Sequence, residues 1–348
     1  MNIVRSVTMD DLGALVALAK LRKVGLTSLP KDEKLLRKKI LRSLRGFDMM
    51  DDEDPHGQSY LFVLEEEDTH RMIGTSGIES KVGGFEPFYT YSIEKSIHES
   101  TSLGVVKEIP TLHLIADHNG PCEIGTLFLH PDYRGSGNGR LLSLSRFLFM
   151  AQHRQFFDPL VIAEVRGVIG ANGHSPFWNA VGHHFFDLDF STADELSAID
   201  KKFIADLMPK HPIYIPLLAK GAQAVIGQPN EKSVPALKLL EAEGFCFCDM
   251  VDIFEAGPVV RCPRDEIRII RESRLATIRS ITVGANESAP FILATISEEF
   301  RACISSVEPA DNGDIGIPGE VASGLKVKVG DTVRLSPLRP TVPTPEKS

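Results

Sequence analysis

The stretch "CEIGTLFLHPDYRGSGNGRLLSLSRFLFMAQ", residues 122 to 152, constrains the fold more than any other part of the chain. Residues of strand character, Glu123 to Leu129, lead into a proline-containing turn, and glycines then stand at 135, 137 and 139 directly before an apolar run. A helix over 139–152 carries Leu141, Leu142, Leu144, Leu148 and Phe149 around most of its girth, so it has to be buried against a sheet. A strand, a glycine-rich turn and a helix N-terminus in succession make an anion site. Unpaired N–H groups and the helix dipole converge there, and no side chain blocks the approach. The predicted ligand class is a phosphate or pyrophosphate.

Single positions exclude two common phosphate fingerprints. G-x-G-x-x-G counted from Gly135 requires glycine at 140, which is Arg140, and no acidic residue ends a following strand at the right distance. The P-loop pattern G-x-x-x-x-G-K-[ST] fails at the same arginine and has no Lys-Ser/Thr pair after it.

The chain has 348 residues, 43% of them hydrophobic, enough for one large domain and a smaller one. Its formal net charge of −9 disfavours binding that relies on counterion release from nucleic acid. Arg37, Lys38 and Lys39 lie among leucines at helical spacing and read as a solvated helix face; "DDEDP" at 51–55 reads as an exposed loop. Cysteines at 122, 246, 248, 262 and 303 are odd in number and lack C-x-x-C spacing, which points to reduced thiols in a cytoplasm. No metal site is expected: side chains adjacent on a strand, as in His183-His184, point to opposite faces, and no third ligand stands at useful spacing. No apolar run approaches the roughly 20 residues of a membrane helix. The N-terminus lacks the apolar core of an export signal. Neither nucleic acid nor membrane is an expected partner.

Strand and helix signals alternate up to residue 258. Ile3–Val7 reads as a strand, Thr8 as the cap of a helix over 9–19, and 33–44 as a second amphipathic helix. Strands are expected at 60–64, 72–78, 112–117, 123–129 and 160–165, with a Gly-, Pro- and aromatic-rich insertion, "GGFEPFYTYS", ahead of the third. "SPFWNAVGHHFF" and "SVPALKLLEAEGFCF" share a pattern: a short helix closing on glycine, then aromatic strand residues at 182–186 and 244–247. That suggests a second half-copy of the helix-to-strand unit over about residues 200–258. Short β runs follow at 291–296, 302–307 and 332–335, and "KVKVGDTVRLSPL" has the alternation and Gly-Asp turn of a small barrel hairpin. The chain therefore divides into 1–258, a small β-barrel domain at 259–338, and a proline-rich disordered tail at 339–348.

Arg134, Gly137 and Gly139 match the Arg-x-x-Gly-x-Gly pattern of acyl-CoA N-acyltransferases of the GNAT superfamily. Beyond it, the chain resembles bacterial arginine N-succinyltransferases in "GLTSLP" at 25, "EPFYTYS" at 86, "IPTLHLIADHNG" at 109, "CEIGTLFLHPDYR" at 122, "SPFWNAVG" at 175, "FIADLMPKHPIY" at 203 and "VDIFEAGP" at 251. The resemblance implies an α+β fold: a GNAT-like mixed sheet flanked by helices, with a small C-terminal β-barrel. It implies a transferase that moves succinyl from succinyl-CoA to the α-amino group of L-arginine, with succinyl-CoA as co-substrate, no tightly bound cofactor, and a homo- or hetero-oligomeric state. Amides of the turn at Gly135, Gly137 and Gly139 would hold the coenzyme A pyrophosphate, with Arg134 and Arg140 adding charge. The position that contacts succinyl-CoA in the family matches Leu127, and Leu129 follows on the same face.

In one respect the chain departs from the family. Where the family carries a histidine proton donor two residues after the Gly-Gln of "VIGQ", this sequence reads Gly227, Gln228, Pro229, Asn230. An amide cannot donate as an imidazolium does, and His211 is the substitute weighed against an ordinary structural histidine. The superfamily's tyrosine acid is also absent, since Phe177-Trp178 holds that place. Two alternatives stay open: an acyltransferase acting on another amine such as ornithine, and a weakly active or non-catalytic subunit of a hetero-oligomeric succinyltransferase.

Acyl transfer to an amine needs a base for the ammonium proton. Strand alternation puts Glu123 on one face with Gly125, Leu127 and Leu129, which makes it the expected base, and a backbone N–H near Leu127 the expected polariser of the thioester carbonyl. A thiolate leaves with a pKa near 8.5, so the reaction asks little of a general acid.

Overall fold

A computed structural model describes residues 1–22, 26–49, 57–170, 173–199, 201–282 and 289–340. The acidic loop expected at 51–55 and residues 341–348 of the expected tail lie outside them. The strands are β1 (Asn2–Ser6), β2 (Ser59–Glu66), β3 (Arg71–Glu79), β4 (Gly83–Ser100), β5 (Val105–Asn119), β6 (Cys122–Leu129), β7 (Leu160–Glu164), β8 (Ile213–Tyr214), β9 (Cys246–Asp252), β10 (Pro258–Pro263), β11 (Arg274–Thr282), β12 (Phe291–Thr295), β13 (Arg301–Ser305), β14 (Glu308–Pro309), β15 (Ile315–Pro318) and β16 (Thr332–Pro337). They hydrogen-bond in the order β14-β15-β11-β16-β12-β13-β1-β2-β3-β6-β7-β10-β9-β4-β5-β8.

Both faces of the centre of this sheet are covered. Tyr60, Phe62 and Leu64 of β2 point into a core with α3 (Asn138–Gln152), whereas Leu61 and Val63 point into a second core with α1 (Leu12–Lys20) and α2 (Glu33–Asp48). That double burial is why β2 is one unbroken apolar run, as central strands are. Helix α2 starts where Asp32 accepts the Leu35 amide at 2.9 Å, and it turns Leu36 and Ile40 inward. Almost all of α3 is buried, as its apolar girth predicts.

In several places the structure departs from the sequence pattern. The "GGFEPFYTYS" stretch is no insertion: it begins the eighteen-residue strand β4, which pairs with β5 from Gly83↔Asn119 to Ser100↔Val105. Its glycines and proline lie at the irregular start, and the alternating aromatic residues carry the ladder. Residues 183–186 form a short helix rather than a strand, so His183 and His184 do not face opposite sides of a sheet; His183 Nδ1 lies 3.1 Å from the Leu188 carbonyl oxygen. The first instance of the suspected half-copy thus lacks its strand, while the second has one in β9. Trp178 is fully buried, donates from Nε1 to the Leu188 carbonyl at 2.9 Å and stacks on Phe254, which makes it a core residue.

The C-terminal strands do not close into a barrel. Their ladder is open among the described residues, and β13 pairs with β1, so they extend the main sheet. Strand β10, which begins at residue 258, pairs with β7 and β9 inside that sheet. Arg268 fastens the two parts, donating to Glu243 Oε1 at 2.6 Å and to the Pro337 carbonyl at 3.0 Å. No helix among the described residues is long and apolar enough to cross a membrane. All five cysteines are free thiols.

Candidate active site

Strands β6 and β7 run parallel but pair only at Cys122↔Val161 and Glu123↔Ile162. Beyond Glu123 they diverge, and β6 loses its ladder on that side. On its other side β6 bulges: Gly77↔Gly125 is followed by Thr75↔Phe128, so Thr126 and Leu127 together oppose Ser76. Thr126 sits in the left-handed region at φ 51°, uncommon for a β-branched residue and characteristic of a strained functional turn.

The bulge breaks the alternation expected along β6. Glu123 and Gly125 share a face, and a Cβ on Gly125 would stand 3.6 Å from Glu123 Oε1. Leu127 and Leu129, however, pack in the apolar cluster against α3 together with Cys122 and Ile124. The expected common face of Glu123 with Leu127 and Leu129 is therefore corrected, because the inserted residue flips every side chain after it.

Past β6 the chain makes the glycine turn. Gly135 and Gly137 adopt φ of 90° and 87°, which glycine reaches without penalty, and nothing lies within 4 Å of a Cβ built on either. Gly137 caps α3 and accepts the Leu141 amide at 3.0 Å. Gly139 has an ordinary helical φ. The Asn138 side chain braces the turn, donating to the Tyr133 carbonyl at 3.1 Å and to Ser136 Oγ at 2.9 Å. Arg134 turns back on the strand, donating to the Leu129 carbonyl at 3.3 Å from Nη2. Arg140, half-buried, is the first full-turn residue of α3.

The divergence opens a cavity of about 270 Å³ lined by Glu123, Glu164, Asp252, Glu255, Arg146 and Lys201 among others. Burial raises the pKa of Glu123, with Glu79 adding to the effect and Lys201 opposing it. Glu164 is open to solvent in the cavity, yet the protein packed around it, with the charges of Asp252 and Glu123 beside it, raises its pKa as well. Glu255 is pushed up to about 8 by burial, against the pull of Arg166. The chemistry on offer is proton acceptance by carboxylates whose pKa values are raised, together with an acidic wall for a cationic ligand.

Residues 2–269 match the sequence profile described as arginine N-succinyltransferase beta subunit, and residues 274–337 match the profile of that subunit's C-terminal domain. The chain belongs to this family. Among arginine N-succinyltransferases, the one from Enterobacter sp. (strain 638) is 44% identical over 342 residues, covering 98% of both chains. The one from Photorhabdus laumondii is 42% identical over 343 residues, covering 98% of this chain and 99% of its own. The solved structure of arginine/ornithine succinyltransferase subunit AI from Pseudomonas aeruginosa is 33% identical, covers 98% of this chain and 99% of its own, and superposes with a TM-score of 0.90.

Within this family member, Glu123 and Leu127 both line the cavity; Leu129, the last residue of β6, and Arg134, Gly135, Gly137, Gly139 and Arg140 of the turn after it are not among its lining residues. His211 is exposed in a turn and lines no part of the cavity. Asn230 is likewise absent from the lining: its amide donates to the Arg166 carbonyl at 2.7 Å and its Oδ1 accepts the Lys232 amide at 3.0 Å, an arrangement that turns the chain into the helix Val234–Ala242. Sequence reasoning missed Glu164, Asp252, Glu255 and Arg146. The signal for Glu164 was available, as a lone charge closing the apolar run "LVIAE".

Proposed function

We propose that the chain is a succinyl-CoA:arginine N-succinyltransferase, converting succinyl-CoA and L-arginine to CoA and N2-succinylarginine. The observation that carries this reading is the divergence of β6 from β7 after Glu123, which opens a cavity lined as far as Leu127 on the strand that leads into the glycine turn. Amides of the turn at Gly135, Gly137 and Gly139 hold the phosphates, with Arg140 near them. Arg134 serves first to brace the turn against Leu129. The pantetheine then follows β6 past Leu129 and Leu127, and an amide of the unpaired edge polarises the thioester carbonyl.

Glu123 takes the proton from the α-ammonium group, its raised pKa making it a better base than an exposed carboxylate. The neutral nitrogen forms the C–N bond at the thioester carbon, the C–S bond breaks as the tetrahedral oxyanion collapses, and the second nitrogen proton passes to the departing thiolate or to water. The thiolate leaves without needing a strong acid, which removes the demand for a histidine at the Asn230 position.

Ornithine is the second acceptor to test, because the Pseudomonas aeruginosa relative is described as acting in arginine/ornithine succinyl transfer. In this reading the enzyme is cytoplasmic and oligomeric, and the chain divides between the helix Arg268–Glu272 and β11, about fifteen residues after the boundary at 258 suggested by the sequence. The deciding experiment follows thiol release by purified protein given succinyl-CoA and a panel of amines. Release with arginine supports the reading; succinyl-CoA binding without turnover of either amine favours a non-catalytic subunit.

A further inference from the structure

We propose that Glu255, with Asp252 and Glu164 beside it, forms the subsite that receives the guanidinium of the acceptor amino acid and so sets its preference for arginine. The inference rests on the arginine acceptor of the reading above.

Glu255 lies in the turn between β9 and β10 and is 5% exposed, yet its Oε2 has no hydrogen-bond partner. Its Oε1 forms an ion pair with Arg166 Nε at 3.6 Å that is too long for a hydrogen bond, and Arg166 Nε makes no other hydrogen bond. A buried acid with an oxygen that makes no hydrogen bond is costly unless a ligand completes it. The turn that carries it is rigid: Asp252 Oδ1 accepts the amides of Phe254 at 2.8 Å and of Glu255 at 2.7 Å. Glu255 therefore presents an open acceptor from a fixed position on the cavity wall.

The order of carboxylates along the sheet supplies the second argument. Glu123 stands on β6 opposite Ile162, Glu164 lies two residues further along β7, and Val259, which pairs with Glu164, places the Asp252–Glu255 turn at the far end. A proton-accepting carboxylate at one end and an unsatisfied one at the other fit a ligand whose reacting amine and cation are separated by a chain. A guanidinium, planar and with five donors, matches several carboxylate oxygens at once. With Glu255 held near a pKa of about 8 by burial, an arriving guanidinium would drive its proton off, which a neutral side chain would not.

The test compares arginine with citrulline, its uncharged urea counterpart. In calorimetric titrations of the full chain saturated with CoA, in two buffers of different ionisation heat, arginine should bind at least tenfold more tightly and release more protons. Equal affinity and equal proton release would overturn the subsite. In Glu255→Gln the preference for arginine over citrulline should fall by about tenfold to a hundredfold, the range for losing a hydrogen bond to a charged group. A uniform loss for both ligands, or an unchanged preference, counts against the proposal. The wild-type arm decides the matter even if the variant does not fold. Arginine-selective binding without any thiol release would refute succinyl transfer while supporting the subsite.

Discussion

The Arg146 guanidinium donates from Nη1 to the Gly125 carbonyl at 3.4 Å, reaching from α3 to the place where β6 bulges. The same nitrogen lies 3.5 Å from the carbonyl of Gly77, the β3 partner of Gly125, while Nε and Nη2 are tied to Ser143. Arg146 thus satisfies carbonyls beside the irregular step and holds the edge that faces the cavity. Arg146→Met should lower stability by about 2–4 kcal/mol, from buried carbonyls left without donors and imperfect filling of the site. It should also lower kcat more than it raises KM for succinyl-CoA, since the edge rather than the glycine turn is disturbed. Urea unfolding and steady-state kinetics read the two effects; a stability loss with unchanged kcat would remove Arg146 from any role in setting the bulge.

Glu123 carries a cost that its removal should reveal. Its folded pKa lies above its unfolded one, so the native state binds more protons than the unfolded chain between the two values and stability falls as pH rises through that window. Glu123→Gln should therefore unfold at a higher temperature than the parent at neutral pH, yet lose about a hundredfold or more in kcat/KM, the usual scale of general-base catalysis. The acidic limb of the kcat/KM profile should disappear with it. A retained limb would transfer the base role to Glu164.

Gly137 separates conformational from binding roles. At φ 87° an alanine costs about 1 kcal/mol, although nothing lies within 4 Å of its added carbon. Gly137→Ala should accordingly fold with a modestly lower melting temperature and bind CoA at least tenfold more weakly. Unchanged CoA affinity would mean that the turn is structural only.

His153 reports on the seam beneath α3. Burial, and secondarily the Arg334 charge, lower its pKa to about 4, and its ring lies 4.9 Å from that of Phe149. The unfolded chain binds the proton first, so stability is full above the unfolded value of about 6.5 and declines as pH falls toward 4. His153→Gln should flatten the melting-temperature profile over that interval; a slope equal to the parent's would assign the acid sensitivity to other groups.

Much of the fold was legible because burial imposes local periodicity. The apolar girth of α3 and the strand character of β2 each follow from neighbours in sequence. The reading failed where tertiary pairing overrode local character. Glycine, proline and aromatic residues at 83–92 suggested irregular chain, but pairing with β5 made them a strand. The His183–Phe186 segment looked like a strand, yet with no neighbouring strand to pair it coiled into a helix.

The candidate site divides along the same line. The glycine turn was readable from sequence alone, since two residues at positive φ before a buried helix require glycine at fixed spacing. Glu123 could be singled out by its place at the head of the strand, but not the face it shares, because the bulge at Thr126 arises only from pairing with β3. Glu164, Asp252 and Glu255 are far from Glu123 in the chain, and no local pattern links them. They meet because β7, β10 and β9 follow β6 in the sheet, and their raised pKa values arise from sharing one desolvated cavity. Sequence determined the glycine turn, which is a matter of local backbone geometry; only the tertiary structure decided the acidic wall, whose chemistry is the mutual proximity of distant charges.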